Sequence, residues 1–286
     1  MISRPCKVLY YCTTLASDMF NHFLISRMCA GLVFCSILNF SEAQEVVVVD
    51  ESRSRDVKTA LVVLNGFGDS KKNRIAQTSF FTSLEYDFFM PEFILRHSLD
   101  ESVDTFSKFY KEQKLDDYDE VMVLCYIIGG YVLNKHIEQQ GQGSISIIIY
   151  DRSPIQERAP RVAVERMRLL AKLKFGRVIE QFSRAEHTLI SGLQGVEVGL
   201  IIENKATPLM RFFRKASDKY GEYNFDPHLI NPSFDDYFHT VLDHDEMYVR
   251  FDVIGDEIIF FLENGKFSES ARREKCDWNP FEKHDP

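Results

Sequence analysis

Four runs of apolar, largely β-branched residues constrain this chain more than any other feature: Thr59-Ala60-Leu61-Val62-Val63-Leu64, Glu120-Val121-Met122-Val123-Leu124, Ser146 to Tyr150, and Gly199-Leu200-Ile201-Ile202. A strand apolar at successive positions has no face to offer water, so both of its sides must be covered. Between the runs the spacing turns helical. Residues 71–84 and 128–137 read as helices, and residues 102–113 place Val103, Phe106, Phe109 and Tyr110 on one helical face. Residues 86–90 read as a further strand and Val46 to Val49 as an edge strand. Alternation of this kind predicts an α/β fold, a mostly parallel central sheet with helices on both faces, joined by right-handed crossovers.

The chain's 286 residues and formal charge of −9 suit one sizeable α/β domain. The acidity excludes generic nucleic-acid binding, because phosphates are repelled at long range. Residues 1–43 differ in character. Met28 to Phe40 is an apolar run too short for a comfortable membrane span, and Ser41-Glu42-Ala43 is a small-x-small signal-peptidase pattern. This leader is either a cleaved export signal, an extension or a membrane anchor; secretion or a periplasmic location follows from the first, and a cytoplasmic one otherwise. Four of the six cysteines lie in it, leaving Cys125 and Cys276 beyond it. Two thiols make no disulfide framework, no metal-ligand spacing occurs, and no cofactor is expected. The expected domain runs over residues 44–265, followed by a polar tail at 266–286.

The strand-to-helix corner Leu124-Cys125-Tyr126-Ile127-Ile128-Gly129-Gly130 resembles the nucleophile elbow of the α/β-hydrolase superfamily of esterases and lipases, written G-x-S-x-G. Cys125 takes the first glycine, Ile127 the serine and Gly129 the last glycine. Asn65-Gly66-Phe67-Gly68-Asp69-Ser70 resembles the loop that supplies an oxyanion-hole N–H in that family, which makes Asn65, Gly66, Phe67, Gly68 and Ile128 the pocket residues. Glu203-Asn204-Lys205-Ala206-Thr207-Pro208 resembles the acid loop, with Asn204 at the aspartate position and Glu203 beside it; Asp151, one strand earlier, is the other acid position. Leu242-Asp243-His244-Asp245 resembles the histidine loop, which makes His244 the remnant base, and residues 255–265 the closing helix with a glycine cap.

Isoleucine has no nucleophilic atom, and asparagine cannot balance an imidazolium. The resemblance therefore implies a hydrolase scaffold without its serine, serving as a non-catalytic relative that binds a small molecule or a protein partner. The alternative is an ester or amide hydrolase with its nucleophile moved to Ser153 or Cys125 and His244 as base. Against the first of these stands a plainer reading, in which Ser153-Pro154 starts a helix and Asp151 pairs with an arginine. Against the second, a cysteine ending a buried strand behaves as a small hydrophobe. Arg152 and Arg158 stand where a carboxylate or phosphate could be met at the sheet edge. Residues 161–185 interleave seven cations with apolar residues where many relatives insert a small helical cap. Such a stretch is a lid, a partner helix, a membrane-surface face or an ordinary sheet-covering pair of helices.

Overall fold

The computed structural model describes residues 45–186 and 192–283; the expectations for residues 1–43 lie outside them. The strands are β1 (Glu45–Val47), β2 (Thr59–Leu64), β3 (Asp87–Met90), β4 (Glu120–Tyr126), β5 (Ile145–Arg152), β6 (Glu197–Glu203) and β7 (Asp236–Thr240). They form one sheet in the order β1-β3-β2-β4-β5-β6-β7, with β1 antiparallel to β3 and every other pair parallel. The helices are α1 (Lys71–Phe81), α2 (Leu99–Glu112), α3 (Ile127–Gln140), α4 (Ala159–Phe175), α5 (Val178–Phe182), α6 (Pro208–Phe212), α7 (Arg214–Ser217), α8 (Pro227–Ile230), α9 (His244–Met247) and α10 (Phe251–Asn264).

Alternation along each strand divides the core into two. Val62, Leu64, Val123, Cys125, Ile148, Tyr150, Leu200 and Ile202 face one side, where Phe106 of α2, Val132 of α3 and Val178 of α5 cover them. Leu61, Val63, Met122, Leu124, Ile147, Ile149 and Ile201 face the other, against Phe81 of α1 and Ile254, Ile258 and Phe261 of α10. This two-sided burial is what the unbroken apolar runs demanded. The segment expected as cap helices folds as α4 and α5.

Residues 266–283 of the expected polar tail pack against the sheet, with Phe267, Ala271 and Cys276 buried. The segment is tied to β7 by a backbone bond from His239 N to Arg272 O and by Arg273 paired with Asp236, and to the loop after β6 by a bond from Ala206 N to Pro280 O. It shields the exposed edge of the sheet.

Gly129 sets how closely α3 sits on the sheet. A Cβ added there would lie 2.2 Å from the Leu64 carbonyl oxygen, a backbone atom of the central strand β2. Neither backbone can yield without moving an element. Gly129→Ala is expected to destabilise the protein by about 2 kcal/mol or more, read as a lowered urea midpoint.

Candidate functional site

The carboxyl ends of the parallel strands form one edge, and the loops leaving them meet there. The register sets Tyr126 of β4 beside Asp151 of β5, Asp151 beside Ile201 of β6, and Glu203 beside Thr240 of β7. His244 arrives from the loop after β7 at the start of α9. Asp243 caps that short helix by accepting from Asp245 N and Glu246 N, while the Glu246 carboxylate accepts from Asp243 N. Lys205, the residue after Asn204, donates to both Glu246 oxygens at 2.9 Å and anchors the cap from β6.

His244 is buried between two buried carboxylates. Its Nδ1 is 2.6 Å from Glu203 Oε1 and 3.3 Å from Asp151 Oδ2. Burial works against charge on the imidazole, but the Glu203 and Asp151 carboxylates outweigh it and hold its pKa well above the ordinary histidine value. Burial and the adjacent Asp151 push Glu203 well above the usual carboxylate range. A raised pKa favours the imidazolium form, which has no lone pair with which to take a proton.

The other ring nitrogen meets a residue that the sequence reading passed over. Tyr248, one helical turn beyond His244, places its hydroxyl 3.3 Å from His244 Nε2 and accepts a hydrogen bond from Gly66 N at 3.2 Å. Its ring stacks on Tyr126 with centroids 4.2 Å apart and planes 13° apart, and Tyr126 donates to the Met247 carbonyl. Tyr248 is fully buried, and burial raises its pKa well above the phenol value, so the hydroxyl stays protonated. A Cβ on Gly66 would stand 2.9 Å from that hydroxyl and one on Gly68 2.8 Å from the Tyr248 ring. In this chain the two glycines admit a tyrosine. The signal was in the sequence: positions four apart share a helix face, and Asp243 with Glu246 spells a capping box.

The remaining expected residues divide. Ile127 is the first residue of α3; Tyr126 before it is extended (φ −89°, ψ 144°), and the only non-glycine residue with positive φ among the described residues is Lys114. The corner therefore lacks both the serine and a strained backbone. Ile128 is buried beside Gly66, its Cγ2 lying 3.5 Å from where a Gly66 Cβ would be. Asn65 lines the cleft beside Gly66, while its amide is turned into hydrogen bonds with Gln77 at 2.9 and 2.7 Å. Asn204 also turns away, donating to Ile202 O and accepting from Cys276 N. Asp151 meets His244, and Arg152 pairs with Glu157 instead. Ser153 is buried and its Oγ accepts from Gln156 N at 3.1 Å. Cys125 Sγ is buried against Ile149 O, and burial raises its pKa well above the thiol value.

Two clefts open nearby. One of about 200 Å³ is lined by Gly66, Phe67, Phe93, Ile94, Arg96 and Phe175. Its cap-side wall is fixed by Arg96, which donates to the Leu173 and Lys174 carbonyls. Another of about 270 Å³ lies at the end of β5, beside Arg152, Arg158 and Arg161.

No protein-family model and no curated protein sequence matches this chain. Solved structures do. A lipase of Bacillus licheniformis in its mature form superposes with a TM-score of 0.52 at 11% identity, over 78% of this chain and 98% of that one. The chain has the α/β-hydrolase fold. A thermophilic esterase of Thermogutta terrifontis, solved with malate bound, matches with a TM-score of 0.48 at 10% identity over 78% of this chain and 93% of that one. An α/β hydrolase enzyme from a lagoon-sediment metagenome matches at 0.43 and 15% identity, over 72% and 91%. At such identities the likeness to α/β hydrolases concerns the fold; the buried Asp151, Glu203 and His244 group is this chain's own observation.

Two outcomes follow from the buried polar contacts. The ¹⁵N shifts of His244 should show imidazolium throughout neutral pH, and a titration centred near pH 6.5 would contradict the two-carboxylate clamp. Because the folded pKa is raised, the stability that His244 contributes is complete below about pH 6.5, its unfolded value, and is lost as pH rises through the folded pKa. Thermal unfolding should accordingly move to lower temperature on the alkaline side. Tyr248→Phe should cost about 1–3 kcal/mol, since it strands the Gly66 N–H in a buried place.

Proposed function

We propose that this chain is a non-catalytic member of the α/β-hydrolase fold that uses its cleft to bind a small molecule or a partner. The observation that carries the reading is the position of the Tyr248 hydroxyl. In acyl-transfer sites of this fold the space between the loop N–H and the histidine Nε2 holds the nucleophile and the reacting carbonyl. Here a phenol of the chain itself fills it, bonded to Gly66 N and set against His244 Nε2.

The residue chemistry supports the same reading. Ile127 offers no nucleophile at the helix start. The carboxylate clamp keeps His244 protonated and so unfit as a general base. The relocated alternatives gain little support: Ser153 is buried with its hydroxyl engaged by Gln156 N, and Cys125 is a buried thiol pushed away from its thiolate.

Short acyl esters and a fluorophosphonate probe are expected to give no turnover or labelling above that of His244→Ala. Robust turnover dependent on His244 would overturn the proposal. Ile127→Ser alone should stay silent because the Tyr248 ring still fills the site. Ile127→Ser combined with Tyr248→Ala clears that ring, and any gain of esterase activity should come only in the pair; activity in the single variant would show that Tyr248 does not block the site.

A further inference from the structure

The second half of α4 turns its apolar side outward. Met167 leaves helical geometry (φ −142°, ψ 40°), and from Arg168 to Lys174 only Ala171 is buried. Leu169, Leu170 and Leu173 are 85%, 64% and 75% exposed. At about 100° per residue these three leucines share one stripe centred roughly opposite Ala171. A helix that merely covers a sheet turns this stripe inward.

Charge is segregated in the same place. Residues 158–177 contain five arginines, two lysines and one glutamate, a net +6, so the rest of a chain of net −9 carries −15. Arg168 and Lys172 are held on the inner flank by Glu180, at 2.7 and 3.8 Å. Lys174 and Arg177 have no carboxylate partner among the described residues, and the Lys174 ammonium lies over the Phe175 ring.

We propose that this face of α4 docks on an anionic lipid surface. Protruding leucines on a convex helix ridge, rather than a groove, suit insertion among acyl chains, and long cationic side chains beside them reach the headgroups. The acidic remainder of the molecule is repelled by the same surface, which leaves the cap as the side that approaches. Among the described residues no helix is long and apolar enough to cross a membrane. The proposal is independent of the reading of the His244 site.

The test is co-sedimentation of the full chain with phosphatidylcholine vesicles, with and without about 30% phosphatidylserine. The wild type should bind the anionic vesicles preferentially and lose binding in about 0.5 M salt, where screening is within a few ångströms. The variant Leu169→Ser/Leu170→Ser/Leu173→Ser should bind about tenfold or more weakly with an unchanged melting temperature, since the three side chains are already solvated. Lys174→Glu/Arg177→Glu should weaken binding to anionic vesicles alone. Both proteins in each comparison keep the apolar run at residues 28–40, so the difference reports α4. Absence of anionic-vesicle binding, or binding that the triple variant retains, overturns the proposal. A concentration-dependent dimer abolished by the triple variant, without vesicle binding, would assign the face to a second copy and overturn it as well.

Discussion

The Tyr248 hydroxyl joins two loops that come from opposite parts of the chain. It accepts from Gly66 N in the loop after β2, and it lies against the imidazole of His244 after β7. Such groups at the bottom of a buried pocket need partners, because an unpaired buried polar group costs about 1–3 kcal/mol. In an esterase they wait for substrate, and some of that cost is borne as open, solvated space. Here the tyrosine satisfies them, and the site becomes part of the core. The stacking of Tyr126 on Tyr248, the glycines at 66 and 68 and the short capped helix α9 all follow from accommodating one ring.

The same packing explains why two carboxylates can be buried on one histidine. Asp151 and Glu203 end neighbouring parallel strands, so they are held close whatever their charge. Repulsion between them and the loss of water favour protons in the cluster, and the imidazolium supplies positive charge where it is needed. A catalytic histidine requires the opposite, a pKa near the working pH and a free lone pair. The cluster thus ties the carboxyl ends of β5 and β6 to the loop after β7.

Much of the fold was legible in the chain. Strands β2, β4, β5 and β6 were readable because both-sided burial leaves continuous apolar runs, and α2 because its apolar residues keep helical spacing. Strand β7 was not, since Asp236-Tyr237-Phe238-His239-Thr240 mixes polar residues into an edge position covered by the C-terminal segment. That Glu203, Asp151 and His244 lie at or after strand ends was legible, and the structure brings the three side chains together. Asn65 and Asn204 were assigned by the same rule, yet their side chains turn into other networks, because position after a strand fixes where a backbone goes and leaves side-chain direction to packing.

By itself the sequence determined that no hydroxyl stands at position 127 and that a doubly covered parallel sheet carries the loops at 65–70, 203–208 and 242–248 to its edges; these depend on residue chemistry and periodicity, which are local. Only the tertiary structure decided that the Tyr248 hydroxyl stands between Gly66 N and His244 Nε2, that both Asp151 and Glu203 face one imidazole, and that the leucines of α4 face solvent. Each of those depends on which distant groups compete for the same few ångströms, and that competition is settled by how the layers pack.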